Sequence, residues 1–372
     1  MKKMFFALLA VSFVTGFFFS GPAYAQQKAM KWKIQSGAPA ADFRYVNITD
    51  LAARINEMAG GRLEMETFGA GAIVPTFEIL DAVSKGVIDG GHTSPVWWTG
   101  KNSAATLYGG VPCGPYGMTQ EDFASWIYIG GGLELYNEML QKELKYDVVS
   151  FPALTDNADA LGWWKKPIKS VAEFKGLKFR TSGMSGEVFK ELGAAVVTLP
   201  PGEIVPALER GVIDGAELSG PCNDIAMGFH TVRKIYIMKS LQQTSGYMEV
   251  LFNKKKFDAL PADLRAIIRS GCMAETYHST LKQMQQNSID LETLVKKHGV
   301  TVEAVPEEIN REILKAWDRL AEKKAKENPF FAKMLASQKA WAERIVSYRG
   351  ISEPPYGMAI QYYWKGENYY KK

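Results

Sequence analysis

Two stretches of this chain nearly repeat each other, and that echo constrains the fold more than any other feature. Residues 78–91 read E-I-L-D-A-V-S-K-G-V-I-D-G-G and residues 203–216 read E-I-V-P-A-L-E-R-G-V-I-D-G-A; eight of the fourteen positions are identical, including all of G-V-I-D-G. Ile79, Ala82 and Val83 stand at helical spacing, as do Ile204, Ala207 and Leu208. Gly86 and Gly211 then fall where a helix ends in a left-handed residue. Val-Ile follows, expected as a short buried strand, with Asp-Gly marking its end. One helix–strand unit used once per half predicts two α/β lobes of related construction. Such folds bind ligands in the crevice outside the strand ends.

With 372 residues, 47% of them hydrophobic, there is enough chain for each lobe to bury its own core. That apolar content excludes disorder as the main state. Cys113, Cys222 and Cys272 are the only cysteines, so at most one pair can close and a disulfide framework is excluded. Lys and Arg number 44 against 40 Asp and Glu, with the signs interspersed. Only 254–256 and 323–326 are locally basic, and both read as solvated faces, so nucleic acid is not an expected partner.

The first 25 residues read as an export signal. Lys2 and Lys3 precede an uncharged apolar run, Phe5 to Phe19, and Ala23-Tyr24-Ala25 supplies small residues where a signal peptidase cuts. Cleavage is expected after Ala25, releasing a soluble, exported protein.

Further along, 30–36 alternates as a first strand, 42–59 is an amphipathic helix ended by Gly60-Gly61, and 63–68 is a second strand. In the second half, 178–180 alternates, 186–192 is helical and 195–199 is a strand. Pro261 opens a long helix, 262–298, stopped by Gly299, and 300–305 reads as a strand. Residues 307–346 are helical with a break near Pro329. The tail, 350–372, carries apolar and aromatic residues with no core role in a monomer.

The run F-K-G-L-K-F-R-T-S-G (174–183) and the later P-A-L-E-R-G-V-I-D-G-A-E (206–217), behind an export signal, resemble the extracytoplasmic solute receptors of TRAP transporters, the DctP family. The resemblance covers nearly the whole mature chain. G-H-T (91–93), G-K (100–101), Y-x-G-G-G (128–132) and G-W-W (162–164) are similar to the branch that binds 2-oxo acids and related hydroxy acids. The fold implied is a two-lobed α/β periplasmic binding protein of the Venus-flytrap type with a long connecting helix. Lobe I is expected over 26–150 plus about 240–260, lobe II over 151–239, the long helix spanning the lobes over 261–300, C-terminal helices over 301–349 and a dimer contact in 350–372. The function implied is a non-enzymatic periplasmic receptor that closes on a small 2-oxo or 2-hydroxy monocarboxylate-like anion and hands it to TRAP membrane subunits.

The resemblance also implies residue roles. Arg180 aligns with the family arginine that grips the ligand carboxylate, and a planar guanidinium offers two parallel donors for two carboxylate oxygens. Trp97 lies on the ligand-lining segment, and Asn157 and Asp159 lie in the stretch L-T-D-N-A-D (154–159). Glu217 is a metal ligand in the branch, beside the carbonyl of Leu218; Asp159 aligns with a Gln of that site and Gln243 falls near its third side-chain ligand. These oxygens suit Na+ or Ca2+ bridging protein and ligand, with no organic cofactor. The branch usually shows Trp where Leu218 stands, Tyr where Cys222 stands, and an aromatic-rich run in place of 237–243.

Trp97-Trp98 and Trp163-Trp164 are adjacent pairs. Strand alternation lets one of each pair at most face a cleft, and Trp97 is that residue, with core packing expected for the rest. His92 reads as a structural histidine. An exported α/β enzyme is the first competing function, but S-G-M-S-G (182–186) holds only part of a nucleophile elbow and no dinucleotide or phosphate loop is present. The second is a sensory binding protein for a carboxylate, which would use the same cleft.

Overall fold

The computed structural model describes residues 29–364, except Val111, Cys113 and Asn157. The expected export signal, Asn157, Cys113 and residues 365–372 therefore lie outside the described residues. The chain opens with β1 (Met30–Ser36), whose Trp32 and Ile34 are buried. Next comes α1 (Phe43–Ala59), capped by the Asp42 carboxylate on the Arg44 amide and ended by left-handed Gly60. Ile48, Leu51, Ala52 and Ile55 form its buried stripe. Then follow β2 (Leu63–Phe68), α2 (Ile79–Ser84) and β3 (Gly90–Thr93), with β2 and β3 pairing in parallel on either side of β1. Short α3 (Ala105–Gly109), α4 (Gln120–Tyr128) and α5 (Gly132–Glu138) lead to β4 (Val148–Asp156).

The second lobe repeats the plan. It contains β5 (Gly162–Trp164), β6 (Lys178–Arg180), α6 (Ser185–Glu191), β7 (Ala195–Val197), α7 (Pro201–Glu209), β8 (Gly215–Ala216), α8 (Pro221–Met227), α9 (Phe229–Val232) and β9 (Ile235–Met238). The chain returns through β10 (Gly246–Asn253) and α10 (Lys254–Asp258) into α11 (Ala262–Lys296), then β11 (Thr301–Ala304), α12 (Glu307–Glu327), α13 (Pro329–Ser352) and α14 (Tyr356–Trp364). Sheet order is β2-β1-β3-β10-β4 in one lobe and β7-β6-β8-β5-β9-β11 in the other. Strand for strand the first five positions match. β10 and β5, each antiparallel to its neighbour β3 or β8, come from the far side of a crossover.

The echoed segment is the same device in both lobes. The Gly86 and Gly211 φ angles are 74° and 71°. The Val87 and Val212 amides reach back to the Ala82 and Ala207 carbonyls, 2.9 Å each, closing a Schellman turn. Asp89 and Asp214 then accept the Lys33 and Lys178 amides at 2.7 and 2.8 Å, fixing β1 and β6 in register. The expected Val-Ile strand does not form. Val87 is 60% exposed while Ile88 is buried, and pairing starts two residues later at Gly90 and Gly215. The turn consumes the valine, so the isoleucine alone points inward.

Because β4 belongs to the first sheet, the first crossover lies after Asp156 rather than at 151; the second follows Met238. Helix α11 touches both lobes. Leu264, Ile268 and Cys272 join the first core, and Leu291 and Leu294 join the second with Trp163 and Ile213. Residues 301–304 form β11 at the edge of the second sheet, parallel to β9, ahead of the helices expected there. Cys222 and Cys272 are both buried.

Candidate functional site

The lobes close on a small cavity walled by both lobes and by the two crossovers between them. Arg44, Ser94 and Trp97 line it from the first lobe, Arg180, Ser182 and Leu218 from the second, and Asp159 and Gln243 from the two crossovers. Arg180 and Leu218 arrive because parallel β6 and β8 both end here, where strand ends in an α/β sheet face the crevice, while Glu217 stands bonded to Arg180 and is not part of the lining.

Arg180 is 2% exposed and held from behind. Its Nε and one terminal nitrogen donate to the Leu199 carbonyl at 3.2 and 2.9 Å; the other donates to the Glu217 carbonyl at 2.7 Å and carboxylate at 3.2 Å. Burial pushes its pKa down and Glu217 opposes that. The guanidinium plane is thus fixed before any ligand arrives, which lowers the ordering cost of binding.

Asp159 and Gln243 meet at the hinge. The Asp159 amide donates to the Gln243 carbonyl at 2.8 Å, and the Gln243 side-chain amide donates to the Asp159 carboxylate at 2.7 Å. Gly110 lies so close to that amide that a side chain there would collide with it. Asp159, Glu217 and Gln243 are all oxygen donors, the set a hard cation takes. With Gln243 turned as it is, its N–H faces Asp159; an amide rotation would present the oxygen instead. Among the described residues the tight acid–histidine group is Asp50, Glu275 and His278, which stands at the packing of α1 on α11, outside the cavity lining. Lys282 pairs with Asp50, and Arg54 and Asn47 bond Glu275, so it is an ion-pair network.

Trp97 and Trp98 sit on a single 3-10 turn, Pro95–Trp98, not on a strand, yet they do point apart. Trp97 is half-buried on the cavity wall. Trp98 is buried, its indole N–H 3.0 Å from Glu249. Glu249 also accepts from Thr93, Tyr136 and Ser150, which ties the Trp97 segment to β4, β10 and α5. Trp163 and Trp164 are both buried, on opposite faces of β5, and Trp163 donates to Asp224 at 2.8 Å. His92 is wholly buried with Nδ1 3.1 Å from Ser36 Oγ, and burial pushes its pKa down to about 3, so it stays neutral. Ser185, in the partial elbow motif, donates to the Gln242 carbonyl at 3.2 Å.

Arg44 was not legible as a site residue. Its signal was present, since a cation in the first turn of a helix opposes the macrodipole and calls for an explanation. Ser94 and Ser182 gave no signal.

Comparison with known proteins follows the same lines. The DctP family model, described as bacterial extracellular solute-binding protein, family 7, matches residues 35–328. The monocarboxylate 2-oxoacid-binding periplasmic protein all3028 of Nostoc sp. is 30% identical over 88% of this chain and 88% of its own. A TRAP transporter solute-binding protein of Bordetella bronchiseptica, a dimer with copurified calcium and picolinate, superposes with a TM-score of 0.84 at 28% identity, covering 91% of this chain and 98% of that one. One from Pseudoalteromonas atlantica, with sodium and pyruvate bound, gives 0.82 at 29% identity, covering 91% and 100%.

Proposed function

From the premise that this chain belongs to the DctP family of bacterial extracellular solute-binding proteins, we propose how its cleft is used. The protein is a periplasmic, non-catalytic TRAP receptor for a small organic acid. The acid is a 2-oxo or 2-hydroxy monocarboxylate, its carboxylate on Arg180, with Trp97 and Asp159 beside it. The observation that carries this reading is the preset Arg180 guanidinium in a cavity walled by both lobes. Closing the lobes removes water, so each charge-assisted hydrogen bond inside gains strength over its aqueous value.

Asp159, Glu217, Gln243 and the Leu218 carbonyl would hold Na+ or Ca2+, which supplies positive charge next to the anion where acids alone would repel it. Relatives crystallised with calcium and picolinate, or with sodium and pyruvate, support a cation in the cleft. The role of the chain's own residues is to orient the acid: Arg180 takes the carboxylate, and Asp159 and Gln243, paired at the hinge, would supply oxygen ligands to the cation. Leu218, smaller than the Trp usual in the branch, leaves room for an acid with a bulkier substituent.

Delivery is to TRAP membrane subunits, and the receptor acts as a homodimer. Support for the dimer is α14, whose Tyr356, Met358, Ile360, Tyr362, Tyr363 and Trp364 all stand exposed; large exposed apolar patches mark interfaces.

Mass spectrometry of material released by denaturing the purified protein tests the reading. An unchanged 2-oxo or 2-hydroxy acid, lost from protein dialysed against chelator in sodium-free buffer, is the expected result. A non-acidic ligand, or turnover of added acid, contradicts it.

A further inference from the structure

We infer that Arg44 is the first lobe's contact with the bound carboxylate, so that the anion stands between guanidinium groups from both lobes. This rests on the reading of the cavity as a carboxylate site, and it adds a residue that neither the motifs nor the comparisons assign.

Three observations carry it. Arg44 is 4% exposed in the first turn of α1, where the positive end of the helix opposes a cation. Asp42 braces it there. Its wholly buried carboxylate caps the Arg44 amide at 2.9 Å and accepts from Nε at 2.9 and 3.1 Å and from a terminal nitrogen, which sets the plane of the guanidinium. Second, Arg44 lines the same cavity as Arg180, from the opposite lobe. Third, the start of α1 is where the lobes touch: the Phe43 amide donates to the Asn223 side chain of α8 at 3.2 Å.

The arrangement mirrors the one around Arg180. Each guanidinium is braced by an acid of its own lobe, Asp42 for Arg44 and Glu217 for Arg180, and each lines the cavity. Like charges brought together by lobe closure repel, and an anion between them turns that repulsion into two attractions. A carboxylate has two oxygens and about four lone-pair directions, enough to accept from both sides. The acid therefore binds the closed form better than the open one, and that difference is what can drive closure.

A purely structural Arg44 would serve only to hold the Asp42 cap, and the test separates the two. Calorimetric titration of the full chain with pyruvate, in calcium and potassium chloride, compares wild type with Arg44→Gln, Arg44→Lys and Arg180→Lys. Arg44→Gln is expected to weaken pyruvate about tenfold or more, with Arg44→Lys recovering part of the loss and the salt dependence of Kd becoming shallower in Arg44→Gln alone. Affinity within about twofold of wild type in folded Arg44→Gln, while Arg180→Lys loses binding, overturns the role of Arg44 and leaves the carboxylate reading standing. Unchanged affinity in both overturns that reading too. Should Arg44→Gln not fold, the arginine Nε–H resonances of the wild-type protein decide: saturation with pyruvate is expected to shift those of both Arg44 and Arg180, and an unmoved Arg44 signal overturns the inference.

Discussion

Arg180 does two jobs with one guanidinium, and they are coupled. It presents charge to the cavity, and it neutralises the buried Glu217 while filling the Leu199 and Glu217 carbonyls. Arg180→Ala is therefore expected to abolish acid binding and also to destabilise the fold, by about 3–5 kcal/mol, because Glu217 stays buried without its partner. Calorimetry and thermal melting of the same variant check both; an unchanged melting temperature would show that Glu217 is not held by Arg180 in solution. Nothing in the sequence shows Glu217 behind the arginine. At this scale Arg180 was legible through its motif, as was the meeting of Asp159 with Gln243 across more than eighty residues. Arg44 was not. Its neighbours in the chain say only "helix start", and the cleft reaches it through tertiary packing.

At the scale of elements, the repeated G-V-I-D-G is a turn with a clamp. Its glycine is required by conformation alone at Gly211, where φ is 71° and a methyl group would meet open space. Gly211→Ala is expected to cost about 1–2 kcal/mol and leave acid affinity untouched. Gly162 is a harsher case, with φ 102° and the Ala216 backbone in the place of any Cβ. Its alanine variant is expected to lose several times as much stability, in the range of about 3–5 kcal/mol, and urea titration ranks the two; equal losses would contradict the close approach of β5 and β8. Periodicity found β1, α1, β2, α11 and the glycine stops because those signals are local. It misplaced β3 and β8, since an apolar pair after a helix reads the same whether it starts a strand or finishes a turn.

For the whole molecule, the swapped strands explain why the lobes act as one hinged unit. β5 and β10 each sit in the sheet across a crossover from the strand before them, an arrangement of long-range pairs that no local pattern encodes. Two of the buried acids hold their protons tightly. Burial outweighs their donors and pushes Glu249 up to about 7 from 4.5 and Asp224 up to about 7 from 3.8. A raised carboxyl pKa means the folded state binds the extra proton, so stability is fully present below the unfolded pKa and lost as pH rises through about 7. Each group accounts for about 3–4 kcal/mol of that loss. The melting temperature is expected to fall between about pH 4 and pH 7 and to level off above that, with a flatter profile in Glu249→Gln; a profile as steep as wild type would contradict the buried proton. The exposed apolar helix α14 gives a second expectation. Light scattering should report twice the chain mass, and truncation after Glu353 should yield a monomer; a monomeric intact chain would remove the interface.

The most direct measurement is a crystal structure of the protein grown with pyruvate and calcium. The carboxylate is expected within hydrogen-bond distance of the Arg180 guanidinium, inside the closed cavity, with the cation against Asp159 and Glu217. Pyruvate bound elsewhere, or lying in the cavity with its carboxylate turned from Arg180, would contradict the account at its centre.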